Sequence, residues 1–221
     1  MTEYRSKYYL VDIDGTLTHY RSGAVAPAGL LGGNFLFPVI RDLMLEHGWD
    51  KHGAEKAILQ LADTLVFWDY PDFIAEFSLP AEEAFLRMRN WHRENIMADS
   101  GNVELIRRLH RDGRLLFAMS NNPYAGCLMK LEAAGLADAF HAPCFARIFG
   151  TNLLRGCKGD PNVWRRALAQ IPAPPREIGT IGDNPVEDGE LPRSLGIGET
   201  ILVPQDGVAP GAIVMNGSGN S

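Results

Sequence analysis

The stretch Tyr8-Tyr9-Leu10-Val11-Asp12-Ile13-Asp14-Gly15-Thr16-Leu17-Thr18 constrains this chain more than any other. An apolar run, Tyr8 to Val11, ends in two carboxylates one residue apart, followed by a glycine and two threonines. The run reads as a short buried strand (residues 8–13), and its acidic end as the loop leaving the sheet. Residues i and i+2 of a strand point the same way, so Asp12 and Asp14 can flank one ligand once the chain bends away. Adjacent acids repel, and each has its pKa raised unless a cation or hydrogen-bond donors intervene. Such a cost suits chemistry, with one carboxylate as nucleophile or metal ligand and the other as general acid or base. Taken alone, the same residues also make a polar turn after a strand, and the choice falls to the rest of the chain.

From Thr18 to Asn34 the composition shifts to Gly, Ala, Pro and Ser and reads as a loop or linker. Residues 35 to about 96 then read as helices, with no strand among them. Phe35, Val39, Ile40, Leu43 and Met44 recur at helical spacing, with Gly48 as a stop. A second helix is expected from Ala54 to Trp68, a third from Pro71 to Phe77, and a fourth opening at Pro80. Beyond Asp99 the pattern alternates. Asn102 to Asp112 is an amphipathic helix. Leu115–Met119 is a doubly buried strand that ends in Ser120-Asn121-Asn122-Pro123. Tyr124 to Ala134 is a helix, His141 to Phe145 a weak strand, and Pro161 to Gln170 a helix. Ile178 to Ile181 is a strand ending in Gly182-Asp183-Asn184-Pro185, Thr200 to Val203 is a last strand, and the tail from Pro204 reads as poorly ordered.

Strands alternating with helices imply an α/β fold with a parallel sheet. Its core would be residues 1–17 and 99–221, interrupted by a helical insertion at 18–98. Ligands of such sheets bind beyond the carboxyl ends of the strands. Three strand ends here carry Asp12 and Asp14, Ser120 and Asn121, and Asp183.

With 221 residues, 46% hydrophobic and 22% charged, the chain can bury a core plus an inserted subdomain. The net charge of −6 argues against a general nucleic-acid binder, though not against small anionic substrates. The three cysteines, Cys127, Cys144 and Cys157, suit neither a disulfide framework nor a zinc cluster. The residues Met1-Thr2-Glu3-Tyr4-Arg5 lack the apolar core of a signal peptide, and no apolar run reaches membrane-span length. A cytoplasmic protein with no nucleic-acid or membrane partner is therefore expected; oligomeric state is not legible.

Four segments taken together resemble the motifs of the haloacid dehalogenase-like (HAD) superfamily. Asp12-Ile13-Asp14-Gly15-Thr16-Leu17-Thr18 resembles the first, Ser120 after its strand the second, Lys158 in Cys157-Lys158-Gly159-Asp160-Pro161 the third, and Gly182-Asp183-Asn184-Pro185-Val186-Glu187-Asp188 the fourth. They occur in family order. Gly159 departs from the proline common after the lysine in relatives. The resemblance implies a Rossmann-like parallel sheet with an inserted α-helical cap, as in the subclass that includes phosphoglycolate phosphatases and pyrimidine nucleotidases.

It also implies roles. Asp12 would be the nucleophile and Asp14 the general acid and base. Asp12, the main-chain carbonyl of Asp14, and Asp183 would hold Mg²⁺, with Asp188 in or near the metal shell. Lys158, the Ser120 hydroxyl and the Asn121 N–H would hold the phosphoryl group. Each has a plainer reading: Lys158 as a solvated loop lysine, Ser120 as a helix N-cap, Asp183 and Asp188 as turn acids. His19, just past the first motif, is a further candidate for substrate contact.

The function these roles imply is a Mg²⁺-dependent phosphatase acting on a small phosphorylated metabolite. A phosphomutase or phosphotransferase uses the same residues. Asp14 speaks against a dehalogenase, which needs no acid there, and the intact acids and lysine speak against a non-catalytic binding module. Specificity would come from the insertion, where Trp68, Tyr70, Arg87 and Trp91 are candidates beside Asp69, Arg89 and His92. Packing tryptophans and solvated arginines explain the same residues.

Overall fold

The computed structural model describes residues 4–21 and 36–203, together with the backbone of 213–216. Its centre is a six-stranded sheet. Strand β1 (Tyr8–Val11) lies in the middle, between β4 (Leu115–Met119) and β6 (Ile178–Gly182). β5 (Arg147–Phe149) flanks β4, β7 (Glu199–Leu202) flanks β6, and β8 (Ile213–Asn216) closes the far edge. Five strands run parallel, and β8 alone pairs antiparallel, against β7. The register sets Val11 beside Ala118 and Ile181, so β1, β4 and β6 end at one level. The polar residues that follow those strands are thereby brought to one edge.

Apolar side chains alternate between the two sheet faces, as a pleat requires. Tyr9 and Val11 join Leu116, Ala118, Ile181 and Ile201 in one core, which α5 (Ser100–Arg111) and α6 (Tyr124–Ala133) help to cover. Leu10 joins Phe117, Met119 and Phe149 in a second core, against Val163 and Trp164 of α8 (Pro161–Leu168).

Between β1 and α5 in sequence stand four described helices: α1 (Phe37–Glu46), α2 (Lys51–Leu65), α3 (Tyr70–Glu76) and α4 (Ala81–Asn95). They bury Phe37, Ile40, Leu43, Ile58, Phe73 and Met88 in a third apolar cluster, which also takes in Ala125 and Met129 of α6. No helix among the described residues is long and apolar enough to cross a membrane.

Several expectations change. Thr18 does not open a loop. Thr18–Tyr20 is strand β2, paired antiparallel with β3 (Ile96–Ala98), where no strand was expected. Three-residue strands carry too little periodicity to read, and these two partners lie at opposite ends of the helical segment. Residues 22–34, read as a glycine-rich linker, and Phe35, read as part of the first helix, lie outside the described residues.

The weak strand at His141–Phe145 is a turn, closed by the Phe145 N–H donating to the Ala142 carbonyl (2.9 Å). Pro143 has no N–H to offer a ladder, and the strand forms two residues later, at Arg147. The second helix starts early because Asp50 caps it, its carboxylate accepting from Gly53 N (2.9 Å). It stops at Leu65 because Val66 adopts φ 59°, a left-handed conformation hostile to a β-branched residue. The tail from Pro204 lies outside the described residues except at β8, where the backbone is extended and paired.

Candidate active site

The β1 ladder continues one residue past the strand, with Asp12 N donating to Ile181 O (2.8 Å). The chain then turns tightly: Gly15 N donates to Thr18 O, and Leu17 N to Ile13 O, both at 2.8 Å. Gly15 makes this possible. Its φ is +78°, and a Cβ there would fall 2.1 Å from a carboxylate oxygen of Asp183. The glycine thus lets the first loop lie against the loop after β6.

Asp12 is almost wholly buried, and its partners are few. One oxygen accepts from the Lys158 ammonium and the other from the Thr16 hydroxyl (2.9 Å). The Thr16 hydroxyl also lies 3.4 Å from Asp183. Lys158 reaches Asp188 as well, at 2.8 Å. The loop that carries Lys158 is fixed from three sides. Asn121 accepts from Lys158 N (2.7 Å), Trp164 Nε1 donates to Lys158 O (2.8 Å), and Asp160 caps α8 just beyond. Lys158 is therefore a buried lysine paired with two carboxylates, and the solvated-loop alternative falls away.

Asp188 sits in a π-helical turn, Pro185–Glu190, that Asn184 caps by accepting from Val186 N and Glu187 N. Asn184 N donates to Asp188 Oδ2 (3.2 Å), and Thr180 Oγ1 to the Asp188 carbonyl (2.7 Å). A Cβ on Gly182 would lie 2.3 Å from the Asp188 side chain, so a glycine must end β6.

Asp12, Asp183 and Asp188 each offer a carboxylate oxygen, and these oxygens lie within 4.8 Å of one another. Three carboxylates face a single ammonium. Burial pushes Asp12 above its ordinary carboxylate range, and Asp188 adds to the rise while Lys158 opposes it. Asp188 is raised as well, again chiefly by burial. Burial alone would lower Lys158, but the two carboxylates it touches more than offset this and hold it charged. The donors are hard oxygens with no thiolate or imidazole among them, and the excess negative charge is of the size a divalent cation balances. The set fits magnesium.

Asp14 stands apart from this triple. Its side chain is a third exposed and accepts on both oxygens. The Lys130 ammonium donates to Oδ1, and Asn122 Nδ2 (2.6 Å) and Ser120 Oγ (3.1 Å) donate to Oδ2. Ser120 begins no helix here; it serves Asp14 and the adjacent main chain, Asn122 N (3.2 Å). Asn121 is exposed and uses its side chain on Lys158 N and Glu187.

Asn122 and Lys130 touch Asp14, and the Thr16 side chain touches Asp12; sequence reasoning assigned no role to Asn122 or Lys130, and considered only the backbone of Thr16. Lys130 carried a signal. It occupies the inner stripe of α6 with Cys127, Leu131 and Ala134, where a hydrophobe is the rule.

The candidates in the helical segment divide. Trp68 packs on Phe37, Phe73 and Tyr70, and Tyr70 is buried in the same cluster. Arg87 is taken up by Glu46 (2.7 Å) and Glu83, an arrangement internal to the helices. Trp91 meets Tyr20 edge-on at 6.4 Å, and Tyr20 adjoins Lys130. Of the four, Trp91 has a path of contacts to the acids. His19 lies 3.5 Å from Asp99, on the strand pair at the base of the helical segment.

No protein-family model matches the sequence, and no curated protein does either. Solved structures do. An HAD phosphatase from Thermococcus onnurineus aligns over 86% of this chain and 83% of its own, with a TM-score of 0.52 and 20% identity. CbbY from Rhodobacter sphaeroides, solved in complex with phosphate, aligns over 87% and 84%, with a TM-score of 0.52 and 18% identity. The HAD family enzyme bt-2542 from Bacteroides thetaiotaomicron, in complex with magnesium and inorganic phosphate, aligns over 87% and 91%, with a TM-score of 0.52 and 14% identity. Likeness at such low identity speaks to architecture, and the central parallel sheet with its helical segment between the first two core strands gives the chain the haloacid dehalogenase-like fold.

Proposed function

We propose that this chain is a magnesium-dependent phosphatase of small phosphorylated metabolites, working through a phosphorylated aspartate. The observation that carries the reading is the setting of Asp12. It is a buried carboxylate pinned by Lys158 and Thr16 beside two more carboxylates, at the level where three strands end. The phosphate bound by the Rhodobacter sphaeroides structure, and the magnesium and phosphate bound by the Bacteroides thetaiotaomicron one, support the same class.

In this reading an oxygen of Asp12 attacks phosphorus, and the bond to the leaving oxygen breaks. Asp14 gives that oxygen a proton. It then takes one from the water that cleaves the aspartyl-phosphate. Lys158 holds the phosphoryl oxygens as a compact positive charge, and the Ser120 hydroxyl and Asn121 N–H donate to them. Asp12, Asp183, Asp188 and the Asp14 carbonyl would hold the metal, which supplies charge neutralisation between carboxylates and phosphoryl group. The segment 18–98 serves as the cap, shielding the site from water and contacting the alcohol half of the substrate.

The test is phosphate release from a panel of sugar phosphates, nucleoside monophosphates, phosphoglycolate and an aryl phosphate, with Mg²⁺ and with chelator. Release that needs Mg²⁺ and disappears in Asp12→Asn supports the reading. A folded, Mg²⁺-binding protein that releases nothing from any ester refutes it.

A further inference from the structure

Lys130 is a lysine where the fold asks for a hydrophobe. It is 4% exposed, on the face of α6 that packs Cys127, Leu131 and Ala134 against the sheet. Withdrawing an ammonium from water is unfavourable, and a leucine of similar volume would fill the stripe without that cost. What the lysine adds is reach. Its ammonium donates to Asp14 Oδ1, lies 3.5 Å from the Tyr20 hydroxyl, and sits 5.6 Å from the centre of the Tyr20 ring.

The other half of the Asp14 carboxylate is also held, by Asn122 Nδ2 (2.6 Å); the Ser120 hydroxyl, which reaches the same oxygen, is the donor assigned above to the phosphoryl group. Donors on both oxygens, from two different elements, set the plane of the carboxyl group. A side chain with a third of its surface exposed would otherwise rotate freely. The base of the lysine is rigid too. α6 shares Ala125 and Met129 with the helical cluster, and its Glu132 pairs with Arg89 (2.7 Å) and Arg93 (2.8 Å) of α4.

We infer that Lys130 is a positioning residue: it orients the Asp14 carboxyl toward the leaving oxygen, and through it governs how well the departing alcohol is protonated. This inference rests on the phosphatase reading above. It assigns Lys130 no contact with phosphorus and no part in attack by Asp12. Its effect falls on the bond that breaks: with Asp14 protonated as substrate binds, the Asp12 oxygen bonds to phosphorus, the phosphorus–oxygen bond to the alcohol yields, and the proton moves from Asp14 to the alcohol oxygen, leaving the carboxylate that the Lys130 ammonium pairs with. An ester whose leaving group departs as a stable anion has little need of that proton.

The experiment compares kcat/KM for p-nitrophenyl phosphate with kcat/KM for the best alkyl phosphate of the release panel, both with Mg²⁺. Lys130→Met keeps the length and apolar body of the side chain and removes the charge. Its expected loss is about 10²-fold on the alkyl ester and under about 5-fold on the aryl ester. Combined with Asp14→Asn, its loss should be far less than the product of the two separate losses, because the lysine acts through the aspartate. Thermal melting checks the fold, and Lys130→Gln, which retains a donor, serves if the methionine variant does not fold. Equal losses on both esters overturn the role, and so does no loss on either. Wild-type protein that hydrolyses neither ester overturns the phosphatase reading and this role with it, an outcome distinct from equal losses in an active enzyme.

Discussion

Asp69, which caps α3, also accepts the main-chain N–H of Ala125 in the first turn of α6, at 3.1 Å. It takes a third donor from Asn152 Nδ2 (3.2 Å). One buried carboxylate therefore serves two helix N-termini, one in the helical segment and one beside the sheet, where partial positive charge collects. Asp69→Ala strips both caps and is expected to cost about 2 kcal/mol of stability, more than a single exposed cap. Urea unfolding measures it. A loss within the error of extrapolation would mean that water replaces the carboxylate at no cost.

Gly15→Ala should damage the acid cluster without touching an acid. The new Cβ meets Asp183 at 2.1 Å, and the φ of +78° is itself unfavourable for alanine, by about 1 kcal/mol. Displacing one of three carboxylates should weaken Mg²⁺ binding by about tenfold or more. Calorimetric titration of the variant with Mg²⁺ reads this, and wild-type affinity would show that Asp183 is not a ligand.

Mg²⁺ itself should stabilise the fold, because it relieves repulsion among Asp12, Asp183 and Asp188. At about 100 times its dissociation constant it should add about 2.7 kcal/mol. Chelator should lower the melting temperature of wild type and leave Asp183→Asn nearly unmoved. Equal shifts in the two proteins would place the ion elsewhere.

His92 supplies a pH dependence. It is 2% exposed, with Nδ1 2.8 Å from the Met88 carbonyl, and burial lowers its pKa to about 4. An unfolded histidine titrates near 6.5, so between these values the unfolded chain binds the extra proton and the folded one does not. Stability therefore falls as pH drops from about 6.5 to about 4, by up to about 3 kcal/mol from this group. His92→Leu should flatten that part of the stability profile measured in urea. An unchanged slope would assign it to other groups.

Much of the sheet was legible because a doubly buried strand is written as a continuous apolar run. Leu115–Met119 has the expected bounds, and Ile178 begins its strand as expected. The helices were legible from apolar spacing, with ends displaced by caps such as Asp50. The pairing of β2 with β3 was not, since a three-residue strand has meaning only beside its partner. Nor was β5, whose place depends on the free edge of β4.

The site divides the same way. Local sequence determined that Asp12 and Asp14 follow one strand, Ser120 another and Asp183 a third, because hydrophobic runs and the polar residues ending them are local features. Only the tertiary structure decided which of these meet. Asp12 turned to Lys158, 146 residues away, while Asp14 turned to Lys130, 116 residues away. Strand order brings those loops to one edge, and close packing at Gly15 and Gly182 brings the carboxylates within reach of one another. Such approach depends on the paths of several elements at once, and periodicity along a chain carries no record of it.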